Sequence, residues 1–488
     1  MNHPMIEGAD NTTTLDPPGR ERLRLPRRRP RLPRPVTPSA ELSSRRIPGQ
    51  AASRDGVLMW LVMLLIVTLF IPDPIAVHVG ALKITPAFAV AMLLFPILLL
   101  QGRIRWAWPE LVILAMFTSW FLSNAMSAPL GRAIESTGRS ILIGVIPYMA
   151  GRYLAQDVRR MKKAFTLVVT LVAIFSVIAI LESIARFNPH NILWGIPYWP
   201  HHEMRLGLTR AHGWTTHAIM FGLVCAIFIP IVAVSHIERL RAVGKRPLIK
   251  LFCLFIGCFL SLSTGAWGPA VVSLMLVAWD YKVKIRTAVR WPLTFAVAIG
   301  GYFILEFATG RPLLRILMMQ LHLTSPEAWY YRWRLFERVF QVMPGHWWMG
   351  YGLDIPDQFV GFGRSIDNNF LLFLLFYGRI GLFLWIGVFA CVLLYGGKAV
   401  WANRDTPFVR LTRAIMFSLI GISLTQLSVA IFSTPGYLYW ILLGVAVGAS
   451  QLCRKEALQL DQLERQQAYA GRRAPRDNRR PAPLKNAG

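Results

Sequence analysis

Read from its residues, this chain is an all-α, polytopic membrane protein with about twelve transmembrane helices and a large outer loop that carries short amphipathic helices. Three observations say so. Of its 488 residues, 54% are hydrophobic and only 16% charged, a balance foreign to soluble globular domains. The apolar residues fall in repeated runs of membrane-spanning length, bounded by charge or by Pro and Gly. The basic residues sort by side. With the N-terminus inside, the two tails hold 11 and 9 of the 53 Lys and Arg and the inner loops 20, against 12 in the outer loops, as cytoplasmic segments require.

The formal charge of +28 lies in tails and loops, so it reads as membrane topology and not as a nucleic-acid surface. Residues 1–56, polar, Pro-rich and carrying RLRLPRRRPRLPRP, are expected to form a disordered cytoplasmic tail with no cleavable signal peptide. The transmembrane domain then covers 57–453, its helices beginning near Val57, Ile84, Ala107, Ser140, Ala164, Gly213, Lys250, Trp267, Trp291, Phe370, Ile415 and Gly436. Residues 454–488 form a second basic cytoplasmic tail with a short helix at EALQLDQLERQQ. Topogenic charge and contact with anionic lipid account for both tails. The five cysteines sit in or beside apolar segments without metal or disulfide spacing, so helix packing is their expected role. No inverted repeat is visible and ionisable residues deep within helices are scarce, which argues against a transporter.

Two outer loops stand out, 186–212 and the longer 309–366, both rich in Trp, Tyr, His and Arg. Long loops of this kind carry function or structure of their own. In RLGLTRAHGWTTHAIMFG, Arg205 and Arg210 precede an apolar helix expected to start near Gly213. Free helix N–H groups beside guanidinium forks suit a phosphate, and an interfacial anchor is the alternative. His212 and His217 crowd the same stretch without recognisable metal spacing, so packing or polar substrate contacts suit them better than a metal. Residues 327–343 form an amphipathic helix with Trp329, Trp333, Leu335, Phe336, Val339, Phe340 and Met343 on one face, expected at the outer membrane surface. Arg332 projects into that apolar arc, where it either snorkels or meets an anion.

SLSTGAWGPA, 261–270, is a tight uncharged outer turn suited to small-residue packing. From Ile366 to Gly396 the chain is apolar for about 31 residues, roughly 46 Å as one helix against a hydrocarbon core of about 30 Å. Gly378 and Gly381 around Arg379 make a natural break, leaving a short outer helix from about Asn368 to Tyr377 and a span over 382–395. Asp367 stands where an N-cap belongs. A carboxylate there could equally act as a general base.

Four stretches, in this order, resemble the O-antigen ligase and Wzy-type polysaccharide polymerase family. Arg210-Ala-His-Gly213 with His217 resembles its arginine-glycine segment at an outer helix head. SLSTGAWGP resembles its Ser-Arg-Gly segment, and 332–352, ending PGHWWMGYG, its arginine helix with a Pro-Gly-x-Gly-like closure. DNNFLLFLLFYGRIGL resembles its His-Asn-x-x-Leu stretch ending in Gly-x-x-Gly. The resemblance spans roughly residues 205–395.

It implies a bacterial inner-membrane glycosyltransferase that needs no metal or other cofactor. Such an enzyme takes an undecaprenyl-pyrophosphate-linked oligosaccharide at the periplasmic face and transfers the glycan to an acceptor hydroxyl. It works within the lipid bilayer, alongside chain-length regulator or export proteins. By position, Arg210 and Arg332, with Arg205, would hold the pyrophosphate, and Asp367 would take the proton of the attacking hydroxyl. His217, Asn368, Asn369 and His212 would contact substrate. The ligase histidine is replaced by Asp367-Asn368-Asn369, and the arginine of the Ser-Arg-Gly segment is absent. Both departures fit an exopolysaccharide or O-antigen polymerase better than a ligase acting on lipid A-core. A lipid-linked oligosaccharide flippase is the alternative of another class.

Overall fold

The computed structural model of the protein describes residues 51–79, 82–100, 106–195, 204–285, 287–310, 326–356, 366, 368–401 and 405–473. Among them are fourteen α-helices and two small antiparallel hairpins. In order these are α1 (Ala51–Thr68), β1 (Val77–Val79), β2 (Leu82–Ile84), α2 (Pro86–Leu100), α3 (Trp108–Ser127), α4 (Leu130–Leu154), α5 (Val158–Ala185) and α6 (Pro189–Leu193). There follow β3 (Met204–Arg205), β4 (Leu208–Thr209), α7 (Ala218–Ile237), α8 (Pro247–Leu260), α9 (Thr264–Lys282) and α10 (Thr287–Thr309). The last four are α11 (Pro326–Val342), α12 (Asn369–Val400), α13 (Pro407–Thr425) and α14 (Ser433–Arg473). Seven helices are long and apolar enough to cross a membrane: α3, α5, α7, α10, α12, α13 and α14. Shorter apolar helices lie within α1, α2 and α8. The protein is therefore an all-α membrane protein.

Helix α7 is apolar on every side and almost wholly buried, as a central helix must be. Helix α10 is the opposite: Val297, Phe303 and Phe307 are exposed and its spanning window buries nothing, which suits contact with lipid. Helices α4 and α14 cross closely because glycines face backbone. A Cβ on Gly151 would collide with the Ile441 carbonyl, and one on Gly444 with the Tyr148 carbonyl.

Several sequence expectations shift. Helix α4 begins at Leu130, ten residues before Ser140, because its first turns (LGRAIESTGR) are helical but too polar to register as membrane. Helix α7 begins at Ala218 and not near Gly213, since Gly213 takes φ +60° and residues 214–217 stay in a turn up to the N-cap His217. The expected C-terminal tail is helical as far as Arg473, where Ala, Leu, Glu, Gln and Arg favour continuation. Phe340, assigned to the apolar face of α11, is half exposed, and among the described side chains Leu335 and Val339 of that helix, with Met343 just beyond its end, are buried. They pack on Leu371, Leu374 and Leu375 of α12, so the helix docks on a neighbour.

The break at Gly378 is present, with φ +63° and ψ −166° inside α12. The backbone groups it frees find partners in the chain following α11. The Arg379 amide donates to the Trp347 carbonyl (2.7 Å), and the Tyr351 and Gly352 amides donate to the Leu375 and Phe376 carbonyls (both 2.8 Å). The Arg379 guanidinium lies 4.5 Å over the Trp347 ring. Beyond the kink the helix runs on to Val400, past the expected end at 395.

Polar residues gather at two poles. At one, the ends of α7, α9, α10 and α13 are tied by Arg410–Glu238 (2.7 Å), Arg413–Asp280 (2.8 Å), Arg290–Asp280 and Arg413–Asp405. Arg152 also pairs with Glu110 (2.6 Å), which accepts from the Tyr148 hydroxyl. All of these pairs lie within or just beside the first or last two turns of their helices, so they do not bear against the expectation that ionisable residues deep within the helices are scarce. Each charge is tolerated because an opposite charge faces it.

Candidate functional site

At the other pole the residues flagged in the sequence gather on a few turns. The hairpin β3–β4 reverses through Leu206 and Gly207, both left-handed (φ +53° and +78°). It presents Arg205 and Arg210 to the end of α8. The Arg205 guanidinium donates to the Leu262 carbonyl (3.0 Å), and Arg210 Nε to the Ser261 carbonyl (3.1 Å). The Ala211 amide adds a bond to the Leu260 carbonyl (2.9 Å). Helix C-termini leave carbonyls unsatisfied and carry partial negative charge, so cations settle there. Two stretches separated by fifty residues are thus joined, and two guanidinium groups are held on adjacent carbonyls.

The segment after Arg210 is fixed by an acidic residue from the end of α5. Glu182, fully buried in the last turn of α5, accepts the amide of His212 with one carboxylate oxygen and that of Gly213 with the other, both at 2.9 Å. Asn188 Nδ2 donates to the Gly213 carbonyl (2.9 Å). The backbone donors beside Arg210 that looked available to a phosphate therefore already meet a carboxylate. The detectable signal was an acid inside an apolar helix, in AILESIA. His217 is the N-cap residue of α7 and its ring stands edge-on to Phe432 at 5.6 Å.

No family model matches this chain, and no curated protein matches it either. Its chemistry has to be read from the arrangement itself.

Asn368 and Asn369 sit at the head of α12. Asn368 is the N-cap, its side-chain oxygen accepting from the Leu371 amide (3.0 Å) while its Nδ2 donates to the Leu427 carbonyl. The capping role considered for Asp367 thus belongs to Asn368. Asn369 Nδ2 donates to Gln426 Oε1 (3.0 Å), which also accepts from Trp385 Nε1 (2.8 Å). Both asparagines are buried and both are anchored to the end of α13. The loop that holds them continues to Val429, which packs with Met220 and Leu223 in the first turns of α7. This loop bridges the head of α12 to the head of α7.

Asp367 lies outside the described residues. Arg332 falls within α11, but its side chain is outside the described residues too. Among the candidates, then, Arg205, Arg210, His212 and His217 gather around the α7 head, and Asn368 and Asn369 join them through the 426–429 loop. Such a pole can hold an anionic group beside guanidinium forks and set polar amides next to it.

Proposed function

We propose that the protein is a polymerase of undecaprenyl-pyrophosphate-linked repeat units in exopolysaccharide or O-antigen synthesis, acting at the periplasmic face of the bacterial inner membrane. Counting α1, α2, α4, α8 and α9 with the seven longer helices gives twelve crossings. Alternating from a cytoplasmic N-terminus, they send the ion-paired pole inward and the pole of Arg205 and Arg210 outward. The observation that carries the reading is the seating of those two guanidinium groups on the 261–262 turn, where two of the four family-like stretches meet.

In the proposed reaction the acceptor hydroxyl oxygen attacks the anomeric carbon, and the bond from that carbon to the pyrophosphate oxygen breaks. Asp367 takes the hydroxyl proton as general base. Arg210 and Arg332, with Arg205, stabilise the charge growing on the departing undecaprenyl pyrophosphate, work that pre-oriented cations do best. His212, His217, Asn368 and Asn369 shape the polar surroundings. Replacement of the ligase histidine by Asp367-Asn368-Asn369 favours a polymerase over a ligase.

A lipid-linked oligosaccharide flippase is the second reading; the buried charges Glu110, Arg152, Asp280 and Arg413 would favour it, but they lie near helix ends and not at mid-membrane, where transport pathways place their charges. Gene deletion separates the readings. Single repeat units at the periplasmic face without long polymer support the polymerase, units trapped on the cytoplasmic side a flippase, and finished polymer unattached to lipid A-core a ligase. Asp367→Asn is expected to abolish polymer while the protein still inserts in the membrane; polymer of normal yield from this variant would remove Asp367 from the mechanism.

A further inference from the structure

A cavity of about 490 Å³ opens between the outer-pole ends of α2, α3, α4, α12 and α14, and none of the arginines discussed above lines it. Its volume is that of a small-molecule site. Its walls are of two kinds. Trp120, Phe373, Tyr377 and Trp385, all buried, form a stacked aromatic wall, with Trp120 and Tyr377 rings 4.5 Å apart and nearly parallel. Asp73, Lys83 and Arg139, all at least partly exposed, supply charge at the open side. The Tyr377 hydroxyl lies in a side chain nine-tenths buried and has no hydrogen-bond partner among the described residues. In the same wall the Trp120 Nε1–H is buried with no hydrogen-bond partner among the described residues, and a buried donor left unmet is costly unless a ligand or water meets it.

Lipid tails would gain nothing from three ionic side chains. A phosphate would meet Lys83 and Arg139 but also the repulsion of Asp73. A sugar suits every part of the wall: its C–H faces lie against aromatic surface, and its hydroxyls both donate to a carboxylate and accept from guanidinium, ammonium and phenol groups. Asn369, which joins the cavity to the 426–429 loop and so to the α7 head, lines it as well.

We propose that this cavity is a carbohydrate subsite that holds the non-lipid sugar end of the acceptor chain. Its role as acceptor site rests on the polymerase reading; its affinity for sugar does not. The sugar enters aromatic face first, its hydroxyls reaching Tyr377 within and Asp73 and Arg139 at the mouth. The donor pyrophosphate stays on the Arg205–Arg210 side.

The test uses the full-length protein in lipid nanodiscs. The probe is the lipid-free repeat oligosaccharide released by mild acid from the lipid-linked glycan of a deletion strain. Saturation-transfer NMR should detect saturable binding to the wild type, weakened at least tenfold in Asp73→Ala/Arg139→Ala and in Tyr377→Phe, and unchanged in Arg210→Ala. Undecaprenyl phosphate should not displace the oligosaccharide. No binding by the wild type, equal binding by all variants, or displacement by the lipid phosphate would each overturn the subsite. Oligosaccharide binding by a wild type that transfers no glycan would leave the subsite standing and remove the polymerase reading instead. A melting temperature within a degree or two of wild type for Arg139→Ala alone, with the same loss of binding, separates recognition from folding.

Discussion

Glu182 accepts the amide hydrogens of His212 and Gly213 in a fully buried setting, so truncating it strands two donors, at a cost of about 1–3 kcal/mol each. Glu182→Ala is expected to lower the thermal unfolding midpoint in detergent and, on the proposed function, to abolish glycan transfer, because the loop it releases carries Arg210. Glu182→Gln keeps one acceptor oxygen and should recover part of both; an alanine variant that melts with the wild type would mean the loop is held by other bonds. The arginines themselves were legible, since charge at the head of an apolar segment stands out. Glu182 was not, because its partners are backbone amides thirty residues on, and no side-chain spacing encodes a backbone contact. The N-cap position shows the same limit: Asp367 and Asn368 can both cap by type, and only the geometry places Asn368 Oδ1 on the Leu371 amide.

Helix α12 was readable at the scale of an element because its apolar run was too long for one span, and Gly-Arg-Ile-Gly offered the break. What lay hidden was the support for that break. Residues 347–352 return against the kink and bond four of its backbone groups, a pairing that depends on chain direction more than on composition. Gly378 has φ +63°, and a Cβ there would collide with the Trp348 carbonyl. Gly378→Ala should therefore cost about 1–3 kcal/mol in backbone strain, with further loss as the return segment moves away. A drop in the melting midpoint with exposure of the 344–352 segment to limited proteolysis is the expected pair of results. An unchanged melt would mean that the kink relaxes into a straight helix at no cost. Helix α4 shows the opposite limit, since its polar first ten residues are helical although most of them are exposed, and hydropathy does not register a helix of that kind.

The whole molecule separates an ion-paired pole from a pole of guanidinium, amide and aromatic groups. Loop charge made two-sidedness legible. It could not reveal that Asp280 meets Arg413, 133 residues away, because pairing across helices follows from how they pack. This ion-paired pole should give the fold a measurable dependence on acid. Burial pushes the Asp405 carboxyl up, but the Arg410 hydrogen bond and the Arg413 charge outweigh it and hold it below the usual carboxylate range. A group whose value is lowered by folding stabilises the protein above its unfolded value, about 3.9 for Asp, and that contribution is lost as the pH falls through the lower folded value. Asp405 is 47% exposed, so solvent screening keeps the effect modest. The wild type should melt above Asp405→Asn from pH 7 down to about pH 5. The gap should then close as the pH drops past the ordinary carboxylate value, and high salt should narrow it at neutral pH. A gap that stayed constant from pH 7 to pH 3 would show that Asp405 acts through shape and not through its charge.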